Sequence, residues 1–169
     1  MSAAPLAFEA LAPGQVLGTL DKGVISTAHI MRWSAAVENF HRIHYDLAFA
    51  TGHDKLPGLL INGSWKQHVL VQLAKDSVGP AGWLWRLKFR YKKMDLAGDA
   101  LHAVARVVDK RTVDALGFVT LAIELLNQAG EVSTAGHAIC VMPAHPGASV
   151  PYPFEPQPAH REISFPHDD

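Results

Sequence analysis

Hydrophobic and polar positions change their rhythm near residue 80. From Trp83 onward, Leu87, Phe89 and Tyr91 alternate with Lys88, Arg90 and Lys92. That is the period of two of a half-buried strand, whose successive side chains point to opposite faces. Residues 100–111, 118–130 and 132–142 are three further strand candidates joined by short polar turns, one of them Asn127–Glu131. Before residue 80 the spacing is helical. Ile30, Trp33 or Ser34, and Val37 mark one face of a helix over residues 27–39, with Ser26 or Thr27 as its N-cap. Trp65, Val69, Leu70 and Leu73 form the apolar stripe of a longer, central helix over 63–77. Residues 14–26 read as one strand or a short hairpin, and Asp46–Ala50 as a single helical turn. A strand, helices and then four strands predict an α+β domain, with one helix packed on one face of a mostly antiparallel sheet.

From Pro143 onward the pattern dissolves. Seven of the eleven prolines fall there, which predicts an extended segment, 143–169, lying over a surface or a partner. The 169 residues are enough for one core and too few for two ordinary ones. With 49% hydrophobic residues and a net charge of -1, nothing draws the chain electrostatically to nucleic acid or an anionic membrane. No basic leader or membrane-length apolar run is present, so a cytoplasmic location is expected. Cys140, the single cysteine, lies in an apolar run and reads as a buried strand residue rather than a nucleophile.

The chemistry concentrates in Val37–Asp46, Val-Glu-Asn-Phe-His-Arg-Ile-His-Tyr-Asp. Histidines at i and i+3 suit one metal ion, but no cysteine pair, His-Glu-x-x-His motif or distant histidine couple accompanies them, so no metal centre is predicted. Helix punctuation explains part of the stretch: Asn39 as a C-cap and Asp46 as the N-cap of the next turn. Two imidazoles, an amide and Arg42 exceed what a turn requires, and acid/base chemistry would use them. A neutral histidine can take a proton from water or return one to a leaving hydroxyl, while an amide orients the water. Downstream, an apolar run ends at Asn62 and Gly63, where the central helix starts. A helix N-terminus offers free N–H groups, and glycine permits close approach, so Gly63 N–H is a candidate oxyanion donor or simply part of a tight turn.

Asn39, His41, Arg42 and His44, the following Asp-Leu-Ala-Phe-Ala, Asn62-Gly63 at the helix start and the Gly98-Asp99 turn together resemble the hot dog fold acyl-thioester hydratases and dehydratases, the MaoC-like family. The resemblance spans about residues 14–142, and the Asn-x-His-Arg-Ile-His-Tyr-Asp form looks closest to the branch of mesaconyl-CoA hydratase and fungal-type 3-hydroxyacyl-thioester dehydratases. It implies a single hot dog domain over 1–142, an antiparallel sheet wrapped around a long central helix, followed by the proline-rich tail. It also implies a paired assembly, a homodimer, a higher homo-oligomer or a heterodimer. The implied reaction is reversible addition of water to the double bond of an enoyl thioester of coenzyme A or an acyl carrier, without metal or redox cofactor. By the same resemblance, His44 is the general acid/base, Asn39 stands in place of the usual aspartate, His41 replaces the usual asparagine, and Gly63 supplies the oxyanion contact. Asn62 stands where a histidine is usual, and Trp65 is a candidate for lining the acyl pocket. An amide at 39 cannot act as a base, so that duty falls to His41 or to His44 alone. The fold also hosts thioesterases, for which the central helix carries no convincing acidic residue. A noncatalytic acyl-binding subunit is the remaining alternative.

Overall fold

The structure, a computed structural model, describes residues 7–166; the first six residues and the last three of the proline-rich tail lie outside the described residues. The elements run β1 (Val16–Val24), α1 (Thr27–Ala36), α2 (Leu47–Gly52), α3 (Gly63–Val78), β2 (Trp83–Tyr91), β3 (Ala100–Val113), β4 (Leu116–Leu126) and β5 (Val132–Pro143). Short 3-10 turns lie at Phe8–Ala10, Arg42–His44 and Pro158–Glu162. The strands form one five-stranded sheet in the order β1-β3-β4-β5-β2, antiparallel throughout. With α3 laid across one face, this is the α+β hot dog fold. Residues 14–26 hold a single strand rather than a hairpin.

The alternation read from the sequence builds the core. Leu101, Ala103, Ala105 and Val107 of β3 and Val119, Leu121, Ile123 and Leu125 of β4 are buried on the face that meets α3. The helix answers with Val69, Leu70 and Leu73, each 1% exposed or less. Near the helix end, β1 comes so close that a β-carbon on Gly18 would stand 2.2 Å from Ser77 Oγ and would have to displace that hydroxyl. Cys140 is fully buried, and burial pushes its thiol up to about 12, which keeps it protonated and unreactive.

A second apolar cluster lies on the opposite face of the sheet. Phe118, Ile139 and Val141 point away from α3, and Trp83 and Trp85 of β2 pack beside them. The proline-rich segment crosses this face and places Phe154 and Ile163 on it. His160 is also buried there, its ring 5.6 Å from that of Phe154 and its Nδ1 accepting the Gln157 N–H at 2.9 Å. The few large apolar residues between the prolines do the packing.

Truncating the best-buried aromatic of this segment, Phe154→Ala, is expected to lower stability by about 3 kcal/mol, as buried phenylalanines generally do. Urea unfolding checks this: the midpoint should fall with the slope unchanged.

Candidate active site

Helix α1 starts with a reciprocal cap, in which Ser26 Oγ accepts the His29 N–H and His29 Nδ1 accepts the Ser26 N–H. Its end is a Schellman turn. Asn39 N–H donates to Ser34 O at 2.9 Å and Glu38 N–H to Ala35 O at 3.4 Å, with Glu38 at φ 53° in the left-handed region. Val37, not Asn39, is therefore the C-cap. The chain leaves this turn already aimed. Asn39 Oδ1 accepts the His41 N–H at 3.3 Å, and His41 Nδ1 accepts the Ile43 N–H at 3.4 Å, capping the 3-10 turn that carries His44.

Asp46 caps α2 by accepting the Phe49 N–H at 2.9 Å and pairs with Arg42 at 2.7 Å. Those backbone and guanidinium contacts hold its carboxyl below the usual carboxylate range. Arg42 lies 4.2 Å over the Phe49 ring. Both residues are thereby occupied in fixing the local turn.

His44 differs from its neighbours in being buried, 5% exposed, whereas His41 is open to solvent. Its Nδ1 lies 2.8 Å from Leu60 O. A carbonyl oxygen only accepts, so Nδ1 carries the proton and Nε2 of the neutral ring holds the free lone pair. Burial is the largest influence on this imidazole and lowers its pKa below 6.5; the Leu60 carbonyl opposes this, and His41, 6.2 Å away ring to ring, adds to the lowering. At neutral pH His44 is a base with its lone pair available.

The carbonyl that orients His44 belongs to the segment leading into α3. Leu60 N–H donates to Ile43 O, while Ile61 N–H donates to Asp95 O and Ala97 N–H to Leu59 O. Residues 59–61 thus lie between the histidine turn and the loop after β2. Two residues later α3 begins, with Trp65 and Lys66 N–H groups both donating to Asn62 O. The N–H groups of Gly63 and Ser64 precede these bonds, at the positive end of a helix of 16 residues. A β-carbon on Gly63 would come within 3.0 Å of the Tyr91 ring and hydroxyl. Glycine therefore lets Tyr91 lie directly against the helix start. Partial burial raises the Tyr91 pKa, keeping its phenol a hydrogen-bond donor. A cleft of about 490 Å³ opens beside it, lined by Pro57, Tyr91, Lys92, Lys93, Met94 and Leu96.

The structure thus gathers Asn39, His41 and His44 in one turn and joins them to Gly63 through Leu60. Asn62 is directed elsewhere: it is fully buried and exchanges hydrogen bonds with Ser34, at 3.1 and 3.3 Å. Trp65 is half-buried against the core, with Lys22 of β1 6.0 Å from its ring. Three residues at the site escaped the sequence reading: Tyr91, Lys66 and Asp95. Lys66 and Asp95 form a buried ion pair at 2.6 Å, their side chains 4% and 0% exposed. A signal for Lys66 was present, since it shares the helical face of Val69, Leu70 and Leu73. Nothing local marks Asp95. Among the described residues no group of three metal-ligating side chains gathers, and no helix is long and apolar enough to cross a membrane.

The family model of hydroxyacyl-thioester dehydratase type 2 matches residues 19–99, from β1 to the turn before β3. No curated protein matches the chain in sequence. Among solved structures it is similar to the (R)-hydratase from A. caviae involved in PHA biosynthesis, with 22% identity and a TM-score of 0.70 over 80% of this chain and 99% of that one. The MaoC-like dehydratase of Rhodospirillum rubrum is similar at 22% identity and TM-score 0.72, over 83% and 99% of the two chains. A chain of the ChsH1–ChsH2 complex from Mycobacterium tuberculosis is similar at 18% and 0.66, over 78% and 98%. At these identities the structural likeness is one of fold.

Proton-detected titration of the imidazole resonances should give His44 a midpoint below 6.5. Because the folded pKa is depressed, the unfolded chain takes up a proton first, and His44 disfavours the folded state progressively as pH falls below 6.5. A His44→Gln variant should lose less stability than the wild type across that interval, read from urea midpoints at several pH values.

Proposed function

We propose, from the likeness to the MaoC-like hot dog hydratases and dehydratases, that this chain catalyses reversible hydration of an enoyl thioester to the 3-hydroxyacyl thioester, on coenzyme A or an acyl carrier. The observation that carries the reading is His44, a buried imidazole oriented by Leu60 O at 2.8 Å on the segment that delivers Gly63 to the start of α3. In the hydration direction Nε2 of His44 takes a proton from water as its oxygen bonds to Cβ. The electron pair of the double bond moves toward the thioester carbonyl, whose oxygen becomes enolate-like and accepts the Gly63 N–H. The thioester carbonyl re-forms as Cα takes a proton, and the imidazolium is the group placed to return one.

His44 alone serves as the base on this reading. His41 is exposed and its Nδ1 already accepts the Ile43 N–H, while Asn39 turns its carbonyl to the His41 backbone. Asn39 and His41 shape the turn that presents His44. The acyl thioester approaches by the cleft beside Tyr91, next to Gly63. Large apolar side chains stand exposed on the two flanking segments, Phe40, Tyr45 and Leu47 on one and Tyr91 and Met94 on the other. Such exposure suits cover by a second hot dog domain, a copy of this chain or a related subunit.

Two observations favour a second reading. The amides at 39 and 62 provide no base, and the fold is shared with a chain of a two-protein complex; a noncatalytic acyl-binding subunit fits both facts. Loss of the enoyl absorbance in a panel of enoyl-CoA thioesters separates the readings. Turnover by the wild type, falling roughly 100- to 10,000-fold in His44→Ala and no more than about threefold in His41→Gln, is the expected result. Thioester bound but unchanged by the wild type would favour the noncatalytic subunit.

A further inference from the structure

Asp95 reaches both halves of the candidate site through separate bonds. Its backbone oxygen accepts the Ile61 N–H at 2.9 Å, one residue from the Leu60 carbonyl that holds His44. Its carboxylate pairs at 2.6 Å with Lys66, in the first turn of α3 and three residues past Gly63. The Lys66 ammonium also donates to Lys93 O at 3.0 Å and Ser133 O at 3.4 Å, and stands 5.6 Å from the centre of the Tyr91 ring. Helix α3 is in this way tied at its very start to the β2–β3 loop and to β5. Both Asp95 oxygens are buried and neither accepts a well-aligned hydrogen bond among the described residues. A buried ion pair of this kind is not accounted for by stability alone, because a well-packed apolar pair of similar volume is often at least as stable.

We propose that Asp95, through its ion pair with Lys66, is a positioning residue that fixes the distance between the His44 imidazole and the Gly63 N–H. The inference rests on the hydratase reading and adds to it the device that sets its geometry. His44 is referenced to the Leu60 carbonyl, that carbonyl to Asp95 through the Ile61 N–H of the same peptide group, and Gly63 to Asp95 through Lys66. One residue thereby holds the proton-transfer group and the oxyanion donor in a single frame. Small errors in such a frame fall on the chemical step rather than on binding.

The test compares two variants of the full chain with the wild type. K66M/D95L replaces the pair by apolar side chains of similar size, and D95E keeps the charges while lengthening the carboxylate arm. Circular dichroism and urea unfolding identify which variants fold. In a folded variant the expected result is a kcat lowered roughly 10- to 100-fold with KM changed by less than about threefold, together with a displaced nitrogen-15 resonance of the His44 ring. Wild-type kcat and an unmoved His44 resonance in a folded variant overturn the proposal. Failure of both variants to fold also overturns it, in favour of a purely structural role for the pair. A wild type that turns over no thioester removes the hydratase reading alone, and the His44 resonance then decides the positioning by itself.

Discussion

The Leu60 carbonyl is the contact on which the candidate site depends. It is a backbone acceptor, so its place is set by the path of the chain and not by a rotamer. That path is held from both sides, by the Leu60 N–H to Ile43 O bond toward the histidine turn and by the bonds of Leu59 and Ile61 to the β2–β3 loop. Removing His44 Nδ1 from water costs free energy unless a partner replaces the water. The carbonyl supplies that partner while fixing the tautomer. Burial then favours the neutral ring, so one arrangement determines orientation, protonation and basicity together.

Much of this is legible in the sequence. Strand alternation from Trp83 onward and the stripe of Val69, Leu70 and Leu73 are local signals, and the sheet and α3 follow them. The residues alone mark His44 as one polar side chain of a crowded turn, and it is the family resemblance that singles it out as the acid/base. Its burial depends on Leu60, sixteen residues away, and no local pattern encodes that contact. Asn62 shows the converse: its position at the helix start suggested a role toward substrate, but Ser34 of α1 offers a buried donor and acceptor that satisfy its amide in the core. The end of α1 escaped the reading for a different reason. A Schellman turn is usually marked by glycine, and here Glu38 takes the left-handed conformation instead. Lys66 and Asp95 lie 29 residues apart, and only the fold makes them a pair.

The prolines mark the segment from 143 onward as an extended one lying over a surface, as it does, but its aperiodic pattern does not say which residues anchor it. Phe154, His160 and Ile163 are buried at irregular intervals. They meet Trp85, Phe118, Ile139 and Val141, outward-facing residues that alternation alone assigns to solvent. The sheet is therefore apolar on both faces over this part of its length, with α3 covering one side and an extended segment the other. Backbone in such a segment stays at the surface while its few large side chains reach inward, which is how a chain without regular hydrogen bonding closes an apolar face.

Among the described residues the influences on the His44 ring are its burial, the Leu60 carbonyl and His41, with no carboxylate among them. On the proposed reading this simplicity has a stereochemical consequence. Where two groups share proton transfer, the proton taken from water and the one given to Cα can travel on opposite faces of the substrate. A single imidazole has one free nitrogen, Nε2, because Nδ1 is committed to Leu60. Water must therefore be deprotonated on the face of the double bond that Nε2 addresses. If the same nitrogen returns the proton before it exchanges, hydrogen and hydroxyl are delivered to that same face. The geometry that permits this is a fixed distance from Nε2 to the plane of the substrate while the thioester oxygen stays on the Gly63 N–H. A rigid frame joining the histidine turn to the start of α3 matters more with one base than with two, since no second group compensates for a substrate that lies askew.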